Sequence, residues 1–253
     1  MGTDRGRAAY AEYLMLYQLL GAQRPCTRPE QHDEMLFIIF HQVTELWFKL
    51  LLHELNVARE AFRGNVPGLP ALARAQRILL LLNDQWPVLD TLTPDAFHRI
   101  RPFLGSASGL YSEQYRALEF LLGRRHPGWQ NLAPGYVAEP SLFDELIRYL
   151  HRRGYPVPDR YMERDWSRGR HTTPELLRVF EQIYACRHGV EYEICEQLSG
   201  IDMYLRGWRQ RHLETVKRQL GDRSGTGGTS GADYLAATID ALYFPELVKP
   251  HAL

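Results

Sequence analysis

The sequence predicts an all-α fold, a bundle of long helices. Apolar residues recur at helical spacing over long stretches, and no segment alternates with the period of two expected of a strand. Pro, Gly and Ser/Thr-Pro punctuation divides the 253 residues into helix-length pieces. The length suits one large domain over 1–253 with a sizeable core, and neither a repeat nor a linker divides it.

In chain order, residues 7–21 read as a short amphipathic helix that ends at a C-cap-like Gly21. Tyr10 and Tyr13 share one of its faces, either as ordinary packing or as hydroxyls carried to a pocket. A loop with two prolines follows, then the stretch that organises the chain, 33–63, which has no Gly or Pro. Residues 70–91 form the next helix. Thr93-Pro94-Asp95 supplies an N-cap, an N1 proline and a dipole-matched acid for another. Small residues 105–109 permit close backbone approach before a helix over 110–123. Residues 124–140 read as loop. Ser141 with Asp144 has the spacing of a capping box, and Thr173-Pro174 restarts helix through to Leu220, with a break near Ser199-Gly200. A last helix lies near 232–243.

Composition narrows the function. Lys+Arg 30 balances Asp+Glu 30, so charge makes no case for a nucleic-acid or anionic-membrane partner. No uninterrupted apolar run reaches the ~18 residues of a membrane span. The first residues lack the apolar core of a signal peptide. Cys26, Cys186 and Cys195 are odd in number and widely spaced, which fits reduced thiols and a cytoplasmic location.

Two histidines, His41 and His53, stand among Phe, Ile, Leu and Trp on the 33–63 helix. Imidazole in such company must be hydrogen-bonded, metal-bound or waiting for a ligand. Phe37 lies one turn before His41 on the same face. Phe97, Arg101 and Leu104 fall at i, i+4 and i+7, so Arg101 sits between two apolar residues and needs an anion, internal or from a ligand. Trp208 and Arg209 come one turn before His212. The glycine-rich GTGGTSG lacks the lysine and the preceding strand of a phosphate loop, and reads as a loop able to close over a ligand. Neither HExxH nor a Glu-x-x-His repeat is present. A single helical histidine can still hold haem iron, because haem needs only one protein ligand from one face; His41 and His212 are both candidates.

AYAEYL, HDEMLFIIFHQVTELWFKLLLHEL, FHRIRPFLGSASG, WRQRH and GTGGTSG occur in that order. Together they resemble the tryptophan 2,3-dioxygenase family over most of the chain. The resemblance implies a helical bundle enclosing a pocket for haem b, whose ferrous iron binds O2 as co-substrate. It implies opening of the indole ring of L-tryptophan, or a substituted tryptophan, to N-formylkynurenine. It also implies the roles. His41 lines the distal side of the haem and meets the indole N–H, and Phe37 packs on the indole. Arg101 binds the substrate carboxylate, with Phe97 and Leu104 beside it. Ser108 lies next to the haem, and His212 is the proximal iron ligand. Thr226 contacts the substrate ammonium and carboxylate. Tyr10 and Tyr13 enter a neighbouring subunit's pocket in a homotetramer, which makes 1–22 a subunit-exchanging segment.

The chain departs from the family pattern at Leu110-Tyr111, where Phe-Gln is usual, and at Phe40 and Val43 around His41. These positions leave open a haem-dependent monooxygenase acting on a modified tryptophan. A non-catalytic haem sensor is the reading from a different class, and the Arg101–Thr226 clamp argues against it, since a gas sensor needs none.

Overall fold

The computed structural model describes residues 2–221 and 231–248, and among these every regular element is helical. The order is α1 (Gly2–Tyr13), α2 (Leu16–Leu20), α3 (Asp33–Arg63), α4 (Leu69–Asp84), α5 (Trp86–Leu89), α6 (Pro94–Ile100), α7 (Glu113–Leu121), α8 (Pro134–Val137), α9 (Leu142–Arg152), α10 (Pro174–Cys186), α11 (Val190–Leu220), α12 (Gly231–Ile239) and α13 (Pro245–Val248). Short 3-10 turns occupy Arg101–Phe103, Gly109–Tyr111, Pro127–Leu132 and Asp159–Tyr161.

The long helices α3 and α11 sandwich α4, while α7 and α9 cover other faces of α3. Phe40, Phe48, Leu51, Leu55, Ala58 and Phe62 follow the inward stripe of α3, and all are buried. Each large apolar side chain enclosed there contributes roughly 1.5–3 kcal/mol. The outer side of α3 is also apolar, with Met35, Ile39, Leu46, Leu50 and Val57 exposed. Its most apolar 18 residues average a hydropathy of 1.5, which by length and composition would suffice to cross a membrane. In this fold the helix packs on α4, α7 and α9. The cysteines are free, Cys26 and Cys186 exposed and Cys195 buried.

The caps read from sequence form as expected. Thr93 accepts from the Ala96 N–H, Thr173 accepts from the Leu176 N–H, and Ser141 and Asp144 complete a reciprocal capping box. Several boundaries differ. The helix expected over 7–21 begins earlier and breaks at Met15, which is left-handed at φ 52°. The helix expected over 70–91 is divided before Trp86, because Pro87 cannot continue the hydrogen-bond ladder. Residues 109–123 open with a 3-10 turn, and α7 starts only after Ser112 caps it.

The break expected at Ser199-Gly200 is absent, and α11 runs unbroken from Val190 to Leu220. The real interruption comes earlier, where Arg187 adopts φ 46° and Gly189 φ 101°. Gly200 serves contact. The Gln76 amide donates to the Gln197 carbonyl at 2.7 Å, and seven residues along α4 the Asn83 amide donates to the Tyr204 carbonyl at 3.0 Å. A Cβ at Gly200 would run into Gln76, and one at Gly207 would crowd Asn83. The two glycines let α4 approach α11 closely enough for side-chain amides to reach backbone.

Candidate active site

A cavity opens between α3, α5, α6, α7, α11 and α12. The space open to the centres of water molecules is about 240 Å³, and aromatic and aliphatic side chains dominate its wall. Phe37, His41, Phe97, Leu104, Ser108 and His212 all line it. Residues more than a hundred positions apart in sequence therefore meet around one cavity.

His41 is set by its own helix. Its Nδ1 lies 2.7 Å from the Phe37 carbonyl oxygen. A carbonyl only accepts, so Nδ1 carries the proton and Nε2 keeps its lone pair. Burial pushes the His41 pKa down, outweighing the Phe37 bond and the nearby Glu45 charge, both of which raise it. The ring is enclosed by protein yet keeps accessible surface, and that surface is cavity wall. Phe37 stacks obliquely on the imidazole at 4.2 Å between centroids, and Phe40 meets it edge-on at 5.5 Å.

His212 faces the same space from α11. Burial, reinforced by His41, pushes its pKa down to about 4, so the ring is a neutral donor at physiological pH. Trp86 stacks on it at 5.6 Å and Trp208 lies 5.4 Å away. The indole Nε1 of both tryptophans has no described hydrogen-bond partner. Among the described residues no three metal-ligating side chains converge. An iron bound to His212 would therefore need its other ligands from a macrocycle. A neutral imidazole packed against Trp86 and Trp208, in a cavity that Phe48 and Tyr115 also line, suits a flat porphyrin, so the residues present fit haem.

Arg101 is half-buried in the 3-10 turn between Phe97 and Leu104 and is not among the cavity-lining residues. Pro102 is part of that turn, which tightens the spacing assumed for a regular helix face. Tyr10 and Tyr13 do not line the cavity of their own chain and stand 64% and 87% exposed. Thr226 lies outside the described residues. His53 is exposed and away from the cavity. Of the positions that depart from the family pattern, Phe40 and Leu110 line the wall, whereas Val43 and Tyr111 do not.

Sequence reasoning passed over Trp86, Tyr115, Arg116 and Glu119, and gave Glu45 no place in a site. Glu45 lines the cavity one turn beyond His41, and the Gln114 amide holds it by donating to its carboxylate at 2.8 Å and its carbonyl at 2.7 Å. Arg116 is buried against Glu119, lies 4.5 Å over the Trp129 ring, and donates from Nε and one NH2 to the Leu110 carbonyl, both at 3.2 Å. It thereby fixes the 3-10 turn that follows Ser108. The available signal was the i,i+3 spacing of Arg116 and Glu119 on a helix whose neighbours are apolar.

Two neutral imidazoles from different helices, set among aromatic walls with Arg116 and Arg209 also in the lining, define an all-helical protein with a candidate site for a cofactor and a ligand. The family model for tryptophan 2,3-dioxygenase matches residues 2–138 and 183–251. The chain belongs to that family. It is 44% identical to the tryptophan 2,3-dioxygenase of Arthrobacter sp. strain FB24, over 95% of this chain and 90% of that protein. It is 44% identical to that of Saccharopolyspora erythraea, over 96% and 92%, and 41% identical to that of Serratia proteamaculans, over 96% and 91%.

Proposed function

We propose that this protein is a haem-dependent dioxygenase that opens the indole ring of L-tryptophan with O2, giving N-formylkynurenine. The observation that carries the reading is the pair of neutral imidazoles on α3 and α11 facing one aromatic cavity, in a chain of this family. Haem b, bound through His212, would supply the oxygen-activating iron chemistry. The chain's own residues bind and orient the amino acid. His41, with its proton fixed on Nδ1, offers Nε2 to accept the indole N–H. Phe37, Phe97 and Leu104 supply the apolar wall for the ring, and Ser108 borders the haem side. Arg101 pairs with the substrate carboxylate, and Thr226 meets the ammonium and carboxylate. Holding the indole against the cofactor in one orientation is the main work asked of the protein.

Arg101→Ala is expected to weaken L-tryptophan far more than tryptamine, which has no carboxylate. A lost charge-assisted contact costs on the order of 1.5–3 kcal/mol, which is about 10- to 150-fold in affinity. Spectral titration of both ligands checks this, and equal losses with the fold intact would refute the clamp.

We further propose a homotetramer of single-domain chains, acting in the cytoplasm, in which Tyr10 and Tyr13 complete a neighbour's pocket. The exposed apolar residues Tyr10, Tyr13, Tyr17 and Leu20, with the outer seam of α3, are the surface that such an assembly would cover. Deleting residues 1–22 is expected to reduce both assembly, read by light scattering, and tryptophan affinity. A fully active monomer after that deletion would reject the arrangement.

A further inference from the structure

Arg209 stands one turn before His212 on α11, lines the cavity, and is 1% exposed. Its donors reach backbone. One NH1 donates to the Thr238 carbonyl at 2.9 Å and one NH2 to the Ala241 carbonyl at 2.8 Å, while the guanidinium lies 5.2 Å over the Tyr243 ring. Those carbonyls belong to the last turn of α12 and the chain just beyond it. There a helix runs out of internal partners for its C=O groups, and a cation satisfies both the groups and the negative end of the dipole. Two turns earlier on α11, Asp202 accepts from the backbone N–H groups of Tyr243 and Phe244 at 3.0 and 3.1 Å. The helix that carries His212 thus grips the chain around the end of α12 at two places. In turn, α12 supplies Tyr234, Leu235 and Thr238 to the cavity wall.

We infer that Arg209 is a positioning residue that fixes the α12 wall of the cavity relative to His212. One turn of one helix then sets both the His212 imidazole and the α12 wall of the cavity. The identity of that substrate rests on the function proposed above, whereas the clamp rests on the backbone contacts alone.

The test uses the holoenzyme with Arg209→Met and Arg209→Lys. Met keeps the bulk of the stem and removes every donor. Lys keeps the charge but lacks the planar fork that spans two carbonyls. Hydrogen–deuterium exchange over 232–244 is read beside haem per chain and the KM and kcat for L-tryptophan. Exchange in that segment is expected to rise roughly tenfold or more in the Met variant, and less in the Lys variant, as a local opening loses its restraint. Exchange in α4 and haem per chain stay as in the parent, and KM rises more than kcat falls. Parental exchange over 232–244 in both variants would overturn the inference. So would faster exchange with unchanged KM, which would leave Arg209 a merely structural residue. If the Met variant does not fold, the Lys variant decides by the same two readouts. Failure of the parent protein to take tryptophan would sink the proposed substrate, and the exchange and haem readouts would still decide the clamp.

Discussion

His212→Ala is expected to purify without stoichiometric haem. Among the described residues, His212 and His41 are the two histidines that line the cavity, and His212 packs against Trp86 and Trp208. His41 is already committed through Nδ1 to the Phe37 carbonyl and is assigned to the substrate side. His41→Ala should therefore retain haem and lose turnover, whereas His212→Ala should fall from one haem per chain to a small fraction of it. Haem content per chain and the Soret band of both variants check this. Added imidazole should restore part of the Soret band in His212→Gly, since the deletion leaves room for the missing ring. Normal ligation in His212→Ala would remove the axial assignment.

The largest expected loss of stability lies outside the cavity lining, at Glu246. Its carboxylate is fully enclosed and meets the Arg170 guanidinium bidentately, at 2.8 and 3.0 Å, with the Thr172 hydroxyl at 2.8 Å. Arg170 itself lies 4.2 Å over the Phe143 ring of α9. The cluster ties α13, and with it the end of the chain that carries α12, to the α9–α10 connection. Removing one partner of a buried pair leaves an uncompensated charge and costs about 3–5 kcal/mol. Glu246→Ala should lose stability on that scale in urea unfolding. Burial pushes the Glu246 pKa up, but the Arg170 charge and the hydrogen bonds from Arg170 and Thr172 outweigh it and hold it below 4.5. A depressed folded pKa means stability that is present above the unfolded value and lost as pH falls through the folded one. The gap between parent and Glu246→Gln should accordingly be full above about pH 4.5 and close below it. A pH-independent gap would show that packing, not ionisation, carries the effect.

Much of this was legible in the residues. Thr93, Ser141 and Thr173 announced helix starts because a cap is a local interaction between residues a few positions apart. The pairing of Phe37 with His41, and of Phe97 with Leu104, followed from helical spacing, and the motif order then linked helices that are distant in sequence. Other features depend on partners from elsewhere. Gly200 reads as a breaker until Gln76 of α4 is seen occupying the space a side chain would take. Trp86 and Tyr115 look like any aromatic residue on an apolar stripe, and only the tertiary fold turns them toward the wall around His212. Arg101 shares its assumed face with Phe97 and Leu104 only in a regular helix, whereas here it opens a 3-10 turn with Pro102 and is not among the cavity-lining residues. Tyr10 and Tyr13 stand exposed and do not line the cavity of their own chain.

The fate of oxygen tests the central claim most directly. Of the four positions read from the sequence as departures, Phe40 and Leu110 line the cavity wall, whereas Val43 and Tyr111 do not. A hydrophobic wall of this kind separates substrates differing by one methyl group by only about 1–3 kcal/mol, so ring-substituted tryptophans should also be accepted. The haem-loaded, reduced protein is incubated with L-tryptophan under 18O2, and the product is weighed by mass spectrometry. Ring-opened N-formylkynurenine carrying two labelled atoms is the result expected of the dioxygenase. A closed-ring oxindole or hydroxyindole carrying one label would contradict it and assign the chain a monooxygenase reaction instead.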